Sequence, residues 1–264
     1  MEHLLDSWPK LEGNFKDRVV FIFFDYDGTL TPIADTPAEA TISQDVKNLL
    51  NKLSENPAFK LAIISGRSLN DIKNIIGLTN IIYVGNHGLE IEGEKIKFES
   101  QVSPRLKSII KRLYENSVKK FSKIKGVLVE DKGLSISVHY RLVDKNDMQE
   151  FMRILNELIE PYIGRGKIKI NPGKKVYDIK PPAGWDKGKV ALWLLAREQF
   201  SKGENKIFPV YIGDDVTDED AFRALANKGL TIFVGEPDKT EAKFYLKDTS
   251  EVAEFIRRIA ALRE

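Results

Sequence analysis

Cysteine is missing altogether from the 264 residues, which removes disulfide scaffolds and cysteine-ligated zinc from consideration. Zero cysteine fits a reducing compartment, and a cytoplasmic protein is expected. Long apolar runs are scarce too. The longest early one is Val19 to Phe24, closed by Asp25, while Glu2, Asp6, Glu12 and Asp17 break the stretch before it. Neither a signal peptide nor a membrane span can be drawn from that pattern. No sign of charge dominates: 41 Lys and Arg against 39 Asp and Glu leave a formal +2, so there is no global nucleic-acid footprint. Internal repeats and low-complexity tracts are lacking. So are Gly-x-x-x-x-Gly-Lys-Ser/Thr and Gly-x-Gly-x-x-Gly, and nucleotide readings lose their usual support. What remains is an ordinary globular composition, 42% hydrophobic and 30% charged, long enough for one large domain or two modest ones.

Periodicity separates two kinds of region. Arg18 to Phe24 is a β-branched and aromatic run that predicts a strand buried on both faces. Helices are predicted over Ser43 to Asn56, capped by Ser43, and over Ser68 to Ile76, with strands at Lys60 to Ile64 and Ile81 to Val84. The rhythm resumes late in the chain. There Asp186 to Phe200, Asp218 to Ala226 and Ser250 to Leu262 read as helices, and Ile207 to Ile212 and Leu230 to Val234 as strands. Alternation of this kind predicts an α/β core with a parallel sheet. Between the blocks, helices Pro104 to Phe121 and Asn146 to Glu160 accompany two hairpins. One joins Val127 to Glu130 with Leu134 to Tyr140, the other joins Lys167 to Ile170 with Lys175 to Ile179 about Asn171-Pro172-Gly173. That pattern predicts an α+β insert. The core is expected at residues 1–100 and 183–264 and the insert at 101–182, with Pro181-Pro182-Ala183-Gly184 as a hinge.

Chemistry concentrates at strand ends. Asp25-Tyr26-Asp27-Gly28-Thr29-Leu30 follows the first strand, where ligands bind in an open parallel sheet. Two carboxylates one residue apart repel unless a cation lies between them or one keeps its proton. Asp25 can attack an electrophile while Asp27 supplies a proton, and Gly28 lets the backbone turn. Tyr211-Ile212-Gly213-Asp214-Asp215 repeats the pattern after another apolar strand. Four carboxylates at one rim call for a hard cation, and all-oxygen ligation points to Mg²⁺. For Asp218 to Asp220 the alternative is a solvated helix N-terminus. Ser65-Gly66-Arg67 offers a hydroxyl and backbone donors to a phosphoryl oxygen. Lys187 stands at the head of a helix, where a positive charge is unfavourable unless it has an anionic partner.

Taken in order, Asp-x-Asp-Gly-Thr, a strand-end Ser, a later Lys and a final Gly-Asp-Asp resemble the haloacid dehalogenase superfamily, which implies a Rossmann-like core. The resemblance implies that Asp25 is the nucleophile accepting the phosphoryl group and Asp27 the general acid and base. It further implies that Ser65 and Lys187 hold the phosphoryl oxygens. Mg²⁺ would lie on Asp25, the Asp27 carbonyl and Asp214, with Gly28, Thr29, Asp215 and Asp218 in support. A receiver domain also phosphorylates an Asp, but needs no insert of this size.

The insert reads as a cap that closes over the substrate and selects it. Its motifs, Val129-Glu130-Asp131-Lys132-Gly133 and Val138-His139-Tyr140-Arg141, join Gly85-Asn86-His87-Gly88-Leu89-Glu90, Trp185 to Lys189 and Tyr211 to Phe222. Together they are similar to the trehalose-6-phosphate phosphatases, from about Phe21 to Ile256. The resemblance implies that Glu130, Lys132 and Asp178 contact the distal sugar and that Arg67, Asn86 and His87 lie on the core side. His139 itself reads equally as a half-buried histidine. Members usually carry Glu then Arg where this chain has Asp178 and Lys180. The implied partner is a small sugar phosphate, with neither nucleic acid nor membrane, and a monomer is expected. Phosphatases of sucrose or glucosyl-glycerate phosphates, and a silent sugar-phosphate sensor, are the alternatives. The near-neutral total also hides a split. Residues 101–180 carry 18 basic and 9 acidic side chains, the remainder 23 and 30, so a basic insert suits an anionic substrate and an acidic core suits a cation.

Overall fold

The computed structural model describes residues 1–182, 184–203, 206–236 and 239–263. The expected hinge at 181–184 includes Ala183, which lies outside the described residues. Two compact units divide the chain. The first comprises Met1–Ser65, Leu69–Phe98 and Trp185–Glu264, the second Gly66–Ser68 and Glu99–Gly184. No helix among the described residues is long and apolar enough to cross a membrane.

The first unit begins with β1 (Glu2–His3), α1 (Trp8–Leu11), β2 (Val19–Phe24), α2 (Gln44–Glu55), β3 (Phe59–Ile64), α3 (Leu69–Ile76), β4 (Ile82–Gly85), β5 (Glu90–Gly93) and β6 (Ile96–Glu99). It is completed by α6 (Lys187–Lys202), β11 (Ile207–Gly213), α7 (Glu219–Leu225), β12 (Leu230–Val234), β13 (Phe244–Leu246) and α8 (Thr249–Ala261). The nine strands form one sheet in the order β1-β13-β12-β11-β2-β3-β4-β5-β6. Pairing is parallel from β1 to β4, and β5 joins antiparallel.

In β2 the period of two sorts side chains between two cores. Val20, Ile22 and Phe24 join Leu50 and Leu53 of α2 and Phe255 and Ile259 of α8. Phe21 and Phe23 join Val190 and Leu194 of α6 and Phe222 of α7. A strand buried on both faces has no solvent side to mark with polar residues, which is why it is written as an unbroken apolar run. The predicted Ser43 cap is present, its hydroxyl accepting from the Val46 N–H at 3.2 Å. Helix α8 starts at Thr249 rather than Ser250, because the Asp248 carboxylate accepts from the Ser250 and Glu251 N–H groups. From β2 the chain builds outward through β3 and β4, and from β11 it builds outward on the opposite side. The strand order therefore reverses between β2 and β11, the position at which an open α/β sheet leaves a crevice beyond its carboxyl ends.

The second unit contains α4 (Pro104–Phe121), β7 (Leu128–Asp131), β8 (Ile136–His139), α5 (Met148–Ile163), β9 (Lys169–Gly173) and β10 (Val176–Lys180). Its sheet is antiparallel, in the order β7-β8-β10-β9. Leu113 and Phe121 of α4 and Phe151 and Leu155 of α5 pack on Ile136, Val138 and Ile179. Helix α5 runs through Pro161 to Ile163, beyond the expected end at Glu160. The second hairpin also differs from expectation. Asn171, Pro172 and Gly173 are strand residues, Gly173 pairs with Val176, and the reversal falls on Lys174-Lys175. Lys175 takes the left-handed conformation, φ 69°. Pro172 is tolerated because β9 lies at the sheet edge, where its missing N–H is not needed by a further strand.

Candidate active site

Asp25 is the first residue past β2, and its N–H donates to the Ile212 carbonyl at 2.9 Å. That bond seats it beside the end of β11, where Asp214 follows Gly213. The intervening loop is shaped by Gly28, φ 87°, where a Cβ would overlap the Asp214 carboxylate. The Gly28 N–H donates to the Thr31 carbonyl at 2.8 Å, and the Thr29 hydroxyl donates to Asp214 Oδ1 at 3.4 Å. Asp27, half-buried, lies within this turn and bridges to Thr31.

Lys187 is the first residue of α6, behind the Asp186 cap. Its buried ammonium lies 2.9 Å from Asp25 Oδ1 and 2.8 Å from Asp218 Oδ1. These are the anionic partners that its position requires. Burial alone would favour the neutral amine, but the charges and hydrogen bonds of Asp218 and Asp25 outweigh it and hold the proton on. The Asp25 carboxyl is pushed well above its ordinary range by burial. Lys187 opposes that shift, and repulsion from Asp218 and Asp214 adds to it.

Asp218 is the hub of this cluster, although its sequence position suits a solvated helix end. One oxygen accepts from Lys187 and from the Tyr211 hydroxyl at 2.7 Å. The other accepts from the Asp214 and Asp215 N–H groups at 3.2 and 3.0 Å. Gly213 gives it room, since a Cβ there would overlap the Asp218 carboxylate. Asp215 turns away and caps the following turn, accepting from the Val216 N–H at 2.7 Å. Tyr211 had no assigned role in the sequence, because one strand residue among apolar neighbours reads as core. Tyr211→Phe should cost about 1–3 kcal/mol in urea denaturation by removing a donor from a buried carboxylate.

Oxygen atoms of Asp25, Asp214 and Asp218 lie within 4.8 Å of one another. The three carboxylates outnumber the one ammonium of Lys187, so their mutual repulsion is relieved by a proton or by a cation. Asp218 already accepts four hydrogen bonds, so Asp25 and Asp214 are the carboxylates suited to a cation. An all-oxygen donor set of this type fits a hard divalent ion.

Ser65, Asn86 and His87 gather at the ends of β3 and β4. The Ser65 N–H donates to the Val84 carbonyl at 2.9 Å, and the His87 N–H donates to the Ser65 carbonyl at 3.0 Å. Asn86 and His87 are buried and both left-handed, φ 50° and 53°. The Asn86 amide is held by Glu90 Oε2 at 2.5 Å.

The remaining residues belong to the second unit. Lys132, in the turn after β7, donates to the Gly66 carbonyl at 2.9 Å and to Asp178 Oδ1 at 3.3 Å, and lies 3.9 Å from Glu130. Ser137 also donates to Asp178. Arg67 is buried, and its charge acts on Glu130.

An α/β sheet with carboxylates from β2 and β11 at its reversal point is a fold shared with haloacid dehalogenase-like hydrolases. It superposes on a hydrolase of that class from Bacteroides thetaiotaomicron with a TM-score of 0.64 at 18% identity, over 92% of this chain and all of the other. The model of the trehalose-phosphatase family matches residues 23–250, and the chain belongs to that family. A trehalose 6-phosphate phosphatase of Zea mays is 33% identical over 272 residues, covering 97% of this chain and 74% of that protein. The C-terminal domain of the Candida albicans trehalose-6-phosphate phosphatase shares the fold, with a TM-score of 0.81 at 24% identity over 96% of each chain.

Proposed function

We propose that this protein is a Mg²⁺-dependent phosphatase that hydrolyses trehalose 6-phosphate to trehalose and phosphate. The observation that carries the chemistry is the buried Lys187 held between Asp25 and Asp218. It keeps a fixed positive charge beside the carboxylate best placed to attack. A carboxylate oxygen of Asp25 forms a bond to phosphorus as the bond to the sugar oxygen breaks, and Asp27 gives its proton to that leaving oxygen. Asp27 then takes a proton from water, which attacks the aspartyl phosphate and frees Asp25. Lys187 and Ser65 hold phosphoryl oxygens throughout. Asp25, the Asp27 carbonyl and Asp214 would hold Mg²⁺, which supplies charge neutralisation for the equatorial oxygens. The second unit is assigned substrate selection through Glu130, Lys132 and Asp178, with Arg67, Asn86 and His87 completing recognition.

The substrate rests on the relatives' activity and on the polar row that the second unit presents. Phosphate release from trehalose 6-phosphate, sucrose 6-phosphate and glucosyl-glycerate phosphate, with Mg²⁺ and with a chelator, tests it. Trehalose 6-phosphate should give the highest kcat/KM, and chelation should stop turnover. A better rival substrate would remove the sugar assignment and keep the hydrolase. Silence towards all three would favour a sensor.

A further inference from the structure

Strand β8 alternates cleanly. Ile136 and Val138 enter the core of the second unit, so Ser137 and His139 point to the opposite face. Register then builds a row across that face. Glu130 pairs with Ser137, Ser137 with Asp178, and Asp178 with Asn171. His139 sits one step along, opposite Leu128 and Val176, and reaches diagonally. Its Nε2 lies 3.2 Å from Glu130 Oε2.

That is a hydrogen-bonding contact to the Glu130 carboxylate. Lys132 stands further away and is shared between the Gly66 carbonyl and Asp178. Burial pushes the Glu130 carboxyl up, yet the His139 hydrogen bond and the charges of Lys132, His139 and Arg67 outweigh it and bring it below its ordinary range. A carboxylate is acceptor-only, so it suits sugar hydroxyls, which donate. Left unheld, a Glu side chain would lose rotamer freedom on binding, a cost that a fixed side chain has already met.

We propose that His139 is a positioning residue that holds the Glu130 carboxylate in one orientation as an acceptor for sugar hydroxyls. The inference rests on the reading of Glu130 as a sugar contact. His139 touches no substrate in it, and acts through its N–H donor to Glu130.

Steady-state kinetics on trehalose 6-phosphate test the idea with His139→Ala, His139→Gln, Glu130→Ala and the Glu130→Ala/His139→Ala double variant. His139→Ala should raise KM about tenfold with little change in kcat. His139→Gln, whose amide can donate to the same oxygen, should recover most of the loss. The double variant should be no worse than Glu130→Ala, because the histidine has nothing left to orient. If the two losses multiply in the double variant, His139 acts independently and the proposal fails while the sugar site stands. If Glu130→Ala leaves KM unchanged, the sugar-site reading falls and takes this one with it. Should His139→Ala not fold, His139→Phe keeps the ring and removes the donor. The same comparison with its double variant then decides.

Discussion

Asp25→Asn should lower kcat by more than about 10⁴-fold and yet raise the melting temperature of the metal-free protein. The first effect follows from the proposed chemistry: an amide cannot form the acyl phosphate, and Asp27, the other carboxylate of this loop, is assigned proton transfer. Phosphate release under saturating trehalose 6-phosphate measures it, and wild-type turnover would remove Asp25 as the nucleophile. The second follows from electrostatics. Burial, with repulsion from Asp218 and Asp214, lifts the Asp25 carboxyl above its unfolded value despite Lys187. A carboxyl raised in the folded state binds protons more readily there than in the unfolded chain. Its stabilising contribution is complete below the unfolded pKa and is lost as pH rises through the folded one. Above the folded pKa the wild type has forfeited that contribution, whereas Asn keeps a neutral group there at every pH. Thermal melts in chelator should show the variant ahead. Adding Mg²⁺ should narrow the difference, since a ligand that binds only the folded state stabilises it by mass action. A variant that melts lower in chelator would mean that the Lys187 contact outweighs the repulsion.

Lys187→Met should be the more damaging change for folding. The ammonium contacts Asp25 and Asp218 with only 3% of its side-chain area exposed. Methionine fills much of the volume but leaves both carboxylates buried beside Asp214 with no cation. Removing one partner of a buried ion pair costs about 3–5 kcal/mol, which urea denaturation at pH 7 would register as a large drop in midpoint. Acid should shrink the deficit. Asp25, already raised, takes up a proton more readily than an ordinary carboxyl, and each proton bound removes part of the repulsion. Turnover should fall by at least about 10²-fold, since the donor proposed for the phosphoryl oxygens is gone. An unchanged urea midpoint at pH 7 would contradict the buried triad.

Much of this centre is legible in the sequence because sheet interiors are written plainly. Val19 to Phe24 and Ile207 to Ile212 are apolar on both faces, so the carboxylates that end them stand out. Lys187 was legible by its conflict with a helix N-terminus, which demanded anions without naming them. Asp218 was legible only as a supporting residue that the resemblance implied, because acids before a helix are common and only the fold turns this one inward to meet Lys187 and Tyr211. Strands β5 and β6, Glu-Ile-Glu-Gly and Ile-Lys-Phe-Glu, lie at the sheet margin with polar residues alternating, and such short segments resemble loops. The second hairpin misled through composition: Asn-Pro-Gly is turn chemistry, but edge pairing with β10 absorbed it and moved the reversal to two lysines. Ser137 stands in no motif, and Val138-His139-Tyr140-Arg141 does not say what His139 meets. Their place in the row exists only once β7, β8 and β10 are in register.

Reversal of the strand order between β2 and β11 also sets a calendar for assembly. Thr29 and Asp214, which touch, are 185 positions apart, and the whole second unit is strung between them. During synthesis the Asp25 loop emerges early and waits, its neighbouring strand still unmade. The inserted unit, whose pairings are local, can form first. Ring closure through so long a chain costs only logarithmically more than through a short one, so the delay is one of time rather than of free energy. Catalytic competence therefore arrives late and all at once, when β11 and the turn carrying Asp218 slot in beside a strand made nearly two hundred residues earlier.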